Sequence, residues 1–319
     1  MENAVFLNAT KLNFDRKIDF SSIAKTTTLT KHNESTDQEI LDRVKDQTII
    51  ITKELPLGRD LISQFPSSVK LICEAGTGYN NIDIVAAREN NITVCNVPSY
   101  STEAVAHLVT TYILNFSSSL IQRQIMIKQK NFDDFSQYVE LPHFELQNKT
   151  LGVVGGSGAI GRAVIKVALA LGMNILIFAR TQKPWDNPNV HFVSLEELLK
   201  QSNFITLHCP LTPDTLHLIN KDRIKLMKPS AFIINTSRGS IIKETDLIEA
   251  LQNGKIAGAA LDVQDPEPPQ PTNPLFDMDN VIITPHIGWR RFESRQRLIN
   301  LMAVNIEAFI KGNPINVVN

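Results

Sequence analysis

The sequence predicts an α/β protein built from doubly wound parallel sheets. Short β-branched apolar runs alternate with longer helical patterns over nearly the whole chain, the pattern of an open parallel sheet with helices on both faces. A glycine-rich turn then sits between a strand and a helix at mid-chain. The length, 319 residues, suits about two domains.

The first alternating series has strands at 48–52 (TIIIT), 69–75 (VKLICEA) and 92–97 (ITVCNV). Continuous apolar runs of this length suit strands buried on both faces. Helical patterns at 38–46, 58–65 and 82–90 separate them. A long helical pattern, STEAVAHLVTTYILNFSSSLIQRQIMI, opens with Ser101 and Thr102 as caps and Glu103 in its first turn. Residues 131–149 read as an irregular connection. The second series has strands at 151–154, 173–178, 203–208, 230–236, 255–263 and 280–285, with helices at 159–171, 194–201, 220–227 and 244–253 between them. A final helical pattern ends at Gly312 before Pro314 and could return to the first domain.

Composition excludes several classes. Apolar residues make up 43% and charged residues 20%, as in folded rather than disordered chains. Lys+Arg number 32 and Asp+Glu 33, so no global field favours nucleic acid or an anionic membrane surface. No apolar run reaches the roughly 20 residues of a membrane span, and the first residues lack a signal-peptide pattern. Cys73, Cys95 and Cys209 lie far apart with no metal-ligand spacing, which suits buried reduced thiols and a cytoplasmic protein without a metal.

After the strand LGVV, the segment GGSGAIGRAV places Gly156, Gly158 and Gly161 in G-x-G-x-x-G spacing. Such glycines allow a tight turn and close approach of backbone to a pyrophosphate, which the first amides of the next helix then face. The next strand would carry the ribose selector. No Asp or Glu occurs between Gly161 and Trp185, and Arg180 stands where a 2′-phosphate could lie, with Lys183 close behind. A guanidinium favours a phosphate that a carboxylate would repel, so NADP is expected over NAD. Alternatively, Arg180 is a solvated charge over the adenine face, which suits NAD equally.

Arg238 in NTSRG, Asp262 in ALDV and His286 in TPHIG each end or follow a predicted strand. Ligands of open α/β sheets gather outside the carboxyl ends of the strands. Reduction of a 2-oxo acid needs a proton donor that titrates near neutrality, and a cation that can grip a carboxylate while polarising the carbonyl beside it. A carboxylate bonded to the imidazole would favour its charged form, and Glu267, inside the proline-rich run DPEPPQPTNP, is the expected partner. Prolines restrict that loop, so it reads as a clamp rather than a linker.

GTGYNNID (76–83), the glycine turn, HCPLTPDT (208–215), NTSRG (235–239), GAALDV (258–263), PEPP (266–269) and TPHIG (284–288) together resemble the D-isomer-specific 2-hydroxyacid dehydrogenase family over nearly the entire chain. The C-terminal third is most similar to glycerate dehydrogenases, also called hydroxypyruvate reductases. The resemblance implies two doubly wound parallel-sheet domains, a Rossmann cofactor domain (100–291) inserted in a flavodoxin-like substrate domain (1–99 and 292–319). It implies that Arg238, Glu267 and His286 are catalytic, with His286 as proton donor. Thr102, Ala159, Ile160, Pro210, Thr236, Ser237 and Asp262 would join the three glycines and Arg180 around the cofactor. The amides of Thr77 and Gly78 would hold the substrate carboxylate together with Arg238. A homodimer using the long helix after Ser101 is also implied, acting on a small 2-oxo or 2-hydroxy acid such as hydroxypyruvate or glyoxylate. A nucleotide-sensing corepressor or scaffold on the same fold is the alternative, disfavoured by the complete trio.

Two features depart from the family pattern. LGVVGGSGAIG holds one residue more than the usual strand-to-turn spacing, leaving the path of Gly155 and Gly156 open. Arg290 and Arg291 follow Trp289 where small or uncharged residues are expected. They read as solvent-facing, with a second acidic group on the substrate as the other option.

Overall fold

The computed structural model describes residues 1–136 and 141–319, so part of the expected irregular connection (131–149) lies outside the described residues. The chain forms two compact units: Met1–Ser101 with Trp289–Asn319, and Thr102–Gly288.

The first unit is a parallel sheet of β1 (Glu2–Phe6), β2 (Thr27–Lys31), β3 (Ile49–Thr52), β4 (Leu71–Glu74) and β5 (Thr93–Cys95), in the order β2-β1-β3-β4-β5. Side chains alternate between its faces. Ile49, Ile51, Leu71 and Cys73 meet Leu298, Ile299, Met302 and Ile306 of the C-terminal helix Phe292–Ile310. Ile50 and Ile72 face Ile40, Leu61, Ile62 and Ala86 on the other side. β1 and β2 do not stand out in the sequence. β2, TTLTK, is an edge strand with three exposed side chains, so it lacks the apolar run of a central strand.

The second unit is a parallel sheet of β6 (Thr150–Val154), β7 (Asn174–Phe178), β8 (Val190–Phe192), β9 (Phe204–Leu207), β10 (Phe232–Asn235), β11 (Gly258–Leu261) and β12 (Val281–Ile283), in the order β12-β11-β10-β9-β6-β7-β8. The chain winds outward from β6 through β7 to β8, then returns to lay β9 on the other side of β6. That reversal is the switch point at which doubly wound sheets bind dinucleotides. Register sharpens the location: Phe178, Val154, Leu207, Asn235, Leu261 and Ile283 pair in one row across six strands. The residues just after them therefore share one rim.

The long helical pattern does not stay straight. It breaks at Ser119 into Thr102–Ser118 and Leu120–Lys128, bent by 64°. Ser119 takes φ 50, and the hydroxyls of Ser117 and Ser118 both donate to the Leu114 carbonyl. A serine run thus competes for the backbone that a continuous helix would need. No single helix among the described residues is long and apolar enough to cross a membrane.

Phe232 of β10 stacks between Phe116 (4.4 Å between ring centres) and Phe204 (5.4 Å), joining helix and sheet in the core of this unit. Phe232→Ala should cost about 3–5 kcal/mol. A denaturant titration checks this through the unfolding midpoint, and an unchanged midpoint would contradict the packing described.

Candidate active site

The rim carries the residues that the sequence singles out. After β6, Gly155 adopts φ 84, a left-handed conformation that suits glycine, and donates its amide to the Phe178 carbonyl (2.7 Å). The turn therefore begins at Gly155, directly after the strand. Gly156, Ser157 and Gly158 follow, and Gly158 precedes the helix Ala159–Ala170 with no side chain capping it. The first amides of that helix, at Ala159 and Ile160, are left for a ligand. The hydroxyls of Ser157, in the turn, and Thr236, just past β10, are buried without a partner among the described residues. Free amides and orphaned hydroxyls at the switch point are what a nicotinamide dinucleotide requires, so the residues present fit that cofactor.

Arg180 follows β7 and is exposed, with no hydrogen bond or ion pair among the described residues. Arg162, in the first turn of the helix, lies with its guanidinium 4.3 Å from the centre of the Trp185 ring. The sequence reading did not single out this contact, because it joins a helix to a loop with no periodic signal. Pro210 is exposed beyond β9, where its carbonyl accepts from the Thr215 hydroxyl (2.6 Å). Thr102 is buried at the start of its helix.

Arg238, Glu267 and His286 lie just beyond β10, β11 and β12. Ser237 Oγ donates to the Leu207 carbonyl (2.8 Å), and Asn235 Nδ2 to the Arg238 carbonyl (2.8 Å), which fixes the backbone that presents the guanidinium. A Cβ on Gly239 would fall 2.2 Å from the Gln264 carbonyl carbon, so this turn and the Glu267 loop touch backbone to backbone. The Ser240 hydroxyl donates to the Asp265 carboxylate and reinforces the contact. Glu267 Oε1 accepts the Gln264 amide (2.8 Å), and Oε2 meets His286 Nδ1 at 2.9 Å. The pairing expected from the proline-rich run is therefore present in the geometry.

Asp262 has a task that its expected place beside the nicotinamide did not suggest. Its Oδ1 accepts from Thr284 Oγ1 (2.5 Å) and the Ile287 amide (2.8 Å), and its Oδ2 from the Gly288 amide (2.8 Å). Its backbone carbonyl accepts the His286 amide (2.9 Å). Burial pushes the Asp262 carboxyl above its ordinary range, against the opposing pull of these donors. Thr284 Oγ1 also meets the buried Tyr112 hydroxyl at 2.5 Å, and burial holds that phenol well above its usual range. His286 itself takes φ 51, unusual for a residue with a side chain, and these bonds hold it there. Among the described residues, no group of three or more His, Cys, Asp or Glu could hold a metal ion.

In the first unit, Thr77 and Gly78 form the turn after β4. Neither amide donates a hydrogen bond among the described residues. The turn is anchored by Val97 N to Gly76 O (2.8 Å), Thr77 Oγ1 to Val97 O (3.1 Å) and Asn96 Nδ2 to Thr77 O (2.7 Å). Arg290 and Arg291 are exposed, and the Arg290 guanidinium lies 5.9 Å from the centre of the Trp289 ring.

A doubly wound sheet with a glycine turn at its switch point, and Arg, Glu and His on the same rim, defines a nicotinamide-dependent oxidoreductase. Comparison with known proteins narrows the class. Residues 110–288 match the family described as D-isomer specific 2-hydroxyacid dehydrogenase, NAD binding domain. Hydroxypyruvate reductase of Blautia hydrogenotrophica is 38% identical over 88% of this chain and 88% of its own length. Glycerate dehydrogenase of Methylorubrum extorquens is 37% identical over 89% of each chain. The structure of D-lactate dehydrogenase from Aquifex aeolicus, complexed with NAD and lactic acid, is 30% identical with a TM-score of 0.86, covering 99% of this chain and all of that one. The chain belongs to the D-isomer specific 2-hydroxyacid dehydrogenase family. It is an oxidoreductase acting on the CH–OH group of a 2-hydroxy acid with a nicotinamide cofactor.

Gly161 packs against the glycine turn. A Cβ there would lie 2.7 Å from Gly156 Cα and 2.8 Å from the Gly155 carbonyl oxygen. Gly161→Ala should weaken dinucleotide binding roughly tenfold or more, about 1.4 kcal/mol. Quenching of intrinsic fluorescence on titration with NADH measures this, and unaltered affinity would contradict a tight turn.

Proposed function

We propose that the protein reduces a small 2-oxo acid, hydroxypyruvate or glyoxylate foremost, to the D-2-hydroxy acid, with His286 as proton donor and NADPH preferred over NADH. The observation that carries the reading is the 2.9 Å bond between Glu267 and His286. An ionised carboxylate only accepts hydrogen bonds, so Nδ1 carries the hydrogen it shares with Glu267. Nε2 is then the ring atom left to deliver a proton to the substrate oxygen, and Glu267 fixes the orientation of the ring.

The turn of Gly156, Gly158 and Gly161, with the amides of Ala159 and Ile160, holds the pyrophosphate. Thr102, Pro210, Thr236, Ser237 and Asp262 serve the nicotinamide end, and Arg180 takes the 2′-phosphate. When bound, the cofactor supplies the hydride. Arg238 polarises the reacting carbonyl and grips the neighbouring carboxylate, which the free amides of Thr77 and Gly78 also hold. Similarity to the hydroxypyruvate reductase and glycerate dehydrogenase supports the substrate assignment. Absence of any carboxylate near Arg180 on the strand end supports the cofactor preference.

Leu114, Leu120, Ile121 and Ile125 are exposed on the consecutive helices Thr102–Ser118 and Leu120–Lys128. A row of large apolar side chains of this kind suits a homodimer contact.

Oxidation of NADPH and NADH with hydroxypyruvate, glyoxylate, pyruvate and phenylpyruvate tests the reaction. The wild type should turn over at least the first two. His286→Ala should lose roughly a hundredfold or more in kcat while keeping cofactor affinity, and Glu267→Gln should lower kcat by less. Arg180→Ala should raise the KM for NADPH about tenfold and leave NADH nearly unchanged. No turnover with any 2-oxo acid would overturn the assignment, and a wild type preferring NADH would overturn the role of Arg180. Sedimentation equilibrium should give the mass of two chains, and a single-chain mass at micromolar concentration would rule the dimer out.

A further inference from the structure

Lys53 is a fully buried charged side chain, 2% exposed in the first unit, and the reaction above does not use it. It stands one residue past β3, and the equally buried Glu74 ends the neighbouring strand β4. Register pairs Thr52 with Glu74, so both groups reach the rim from which the turn Gly76–Gly78 leaves. A Cβ on Gly76 would lie 3.2 Å from Glu74 Oε1 and 3.4 Å from Lys53 Nζ. The turn thus rests directly on these two groups, with no side chain between.

We propose that Lys53 and Glu74 are positioning residues for the substrate turn Gly76–Gly78, and that a proton held by Glu74 strengthens this turn's grip on the anionic substrate. The proposal rests on the reading above that the Thr77 and Gly78 amides take the substrate carboxylate.

Lys53 is held on several sides. Its ammonium donates to Glu54 Oε1 (2.5 Å) and lies 4.1 Å from the centre of the Trp289 ring. Glu74 is held as well. Its Oε2 accepts from Asn81 Nδ2 (2.9 Å), and its Oε1 from the Glu54 amide (3.0 Å). Asn81 also donates to the Leu55 carbonyl (2.9 Å), tying the segment after the turn to the segment after β3. The charged and titratable groups that face Glu74 are Lys53 and Glu54 beyond β3, Tyr100 beyond β5 and Cys73 within β4. Lys11 reaches Glu54 at 3.3 Å from the N-terminal segment.

Burial pushes the Glu74 carboxyl up to about 7, against the pull of Lys53 and Asn81. Burial likewise raises the Tyr100 phenol, which stays neutral. With Glu74 protonated, the charges beneath the turn are the buried Lys53 and the half-buried Glu54, which Lys11 also reaches. Once Glu74 ionises, a further negative charge lies buried under amides that must attract a carboxylate. Interactions at such range in a buried setting are large enough to alter affinity severalfold. Substrate affinity should therefore fall as pH rises through about 7, and cofactor affinity should not follow it.

The test is the KM for glyoxylate from about pH 6 to pH 8 under saturating NADPH, together with kcat and the Kd of NADH, in wild type, E74Q, K53M and K53R. Wild type should lose affinity across this range. E74Q should keep its low-pH KM throughout, with kcat within about twofold of wild type. K53M should raise KM roughly tenfold at unchanged NADH affinity, and K53R should recover much of that loss. A KM profile of E74Q parallel to that of wild type overturns the proposal. So does a K53M variant whose KM is unchanged. Should K53M fail to fold, E74Q and K53R decide the matter alone. Absence of turnover in the wild type at every pH would instead sink the functional reading itself.

Discussion

The carboxylate of Asp262 holds the backbone from Thr284 to Gly288 in place through three hydrogen bonds, and His286 sits at the centre of that segment. His286 is left-handed at φ 51, a conformation that costs an ordinary residue on the order of 1 kcal/mol or more. It persists because its neighbours are fixed on both sides. Thr284 Oγ1 has one hydrogen, which goes to Asp262, so the Tyr112 hydroxyl must donate to Thr284. That directionality runs from the helix Thr102–Ser118, through the loop, to the strand end that carries Asp262. The imidazole therefore inherits its position from a buried polar chain, and such chains are rigid only when every member is satisfied.

Glu267 completes the arrangement from another strand end. Its two oxygens have separate duties, one on the Gln264 amide within its own loop and one on His286. The loop is braced in turn against the Arg238 turn at Gly239 and through Ser240. Arg238, Glu267 and His286 thus come from three strand ends. The row of register partners from Phe178 to Ile283 makes one rim of them. A one-residue slip in any of these strands would turn that residue's neighbours to the opposite face.

The sheet strands of the second unit were legible because central parallel strands are continuous apolar runs, and the runs beginning at Phe204 and Phe232 are unmistakable. The candidate site residues on the rim stood out for a related reason: they are polar residues that end or follow such runs. β2 was not, since an edge strand reading TTLTK has an exposed face and no distinctive run. The break at Ser119 was missed because apolar spacing continues across it, while its cause lies in hydroxyls that compete locally with the helix. The support given by Thr284 and Tyr112 was also hidden. Residues 172 positions apart in sequence carry no shared pattern until the fold joins them.

Lys53 and Glu74 escaped the sequence reading too, since one follows a strand and the other ends one, where a charged residue is expected to be solvated. Their burial changes the argument. Glu74 has a folded-state pKa raised from its ordinary 4.5 to about 7, so the folded chain binds that proton more tightly than the unfolded one. Stability is then greatest while the group is protonated in both states, and it declines as pH rises from the ordinary value toward the raised one. Near neutral pH the fold therefore keeps a carboxyl that works against it, where glutamine would make comparable hydrogen bonds without that penalty. Stability offers no reason for an ionisable group at this position. A turn with two free amides, resting on that group, does offer one.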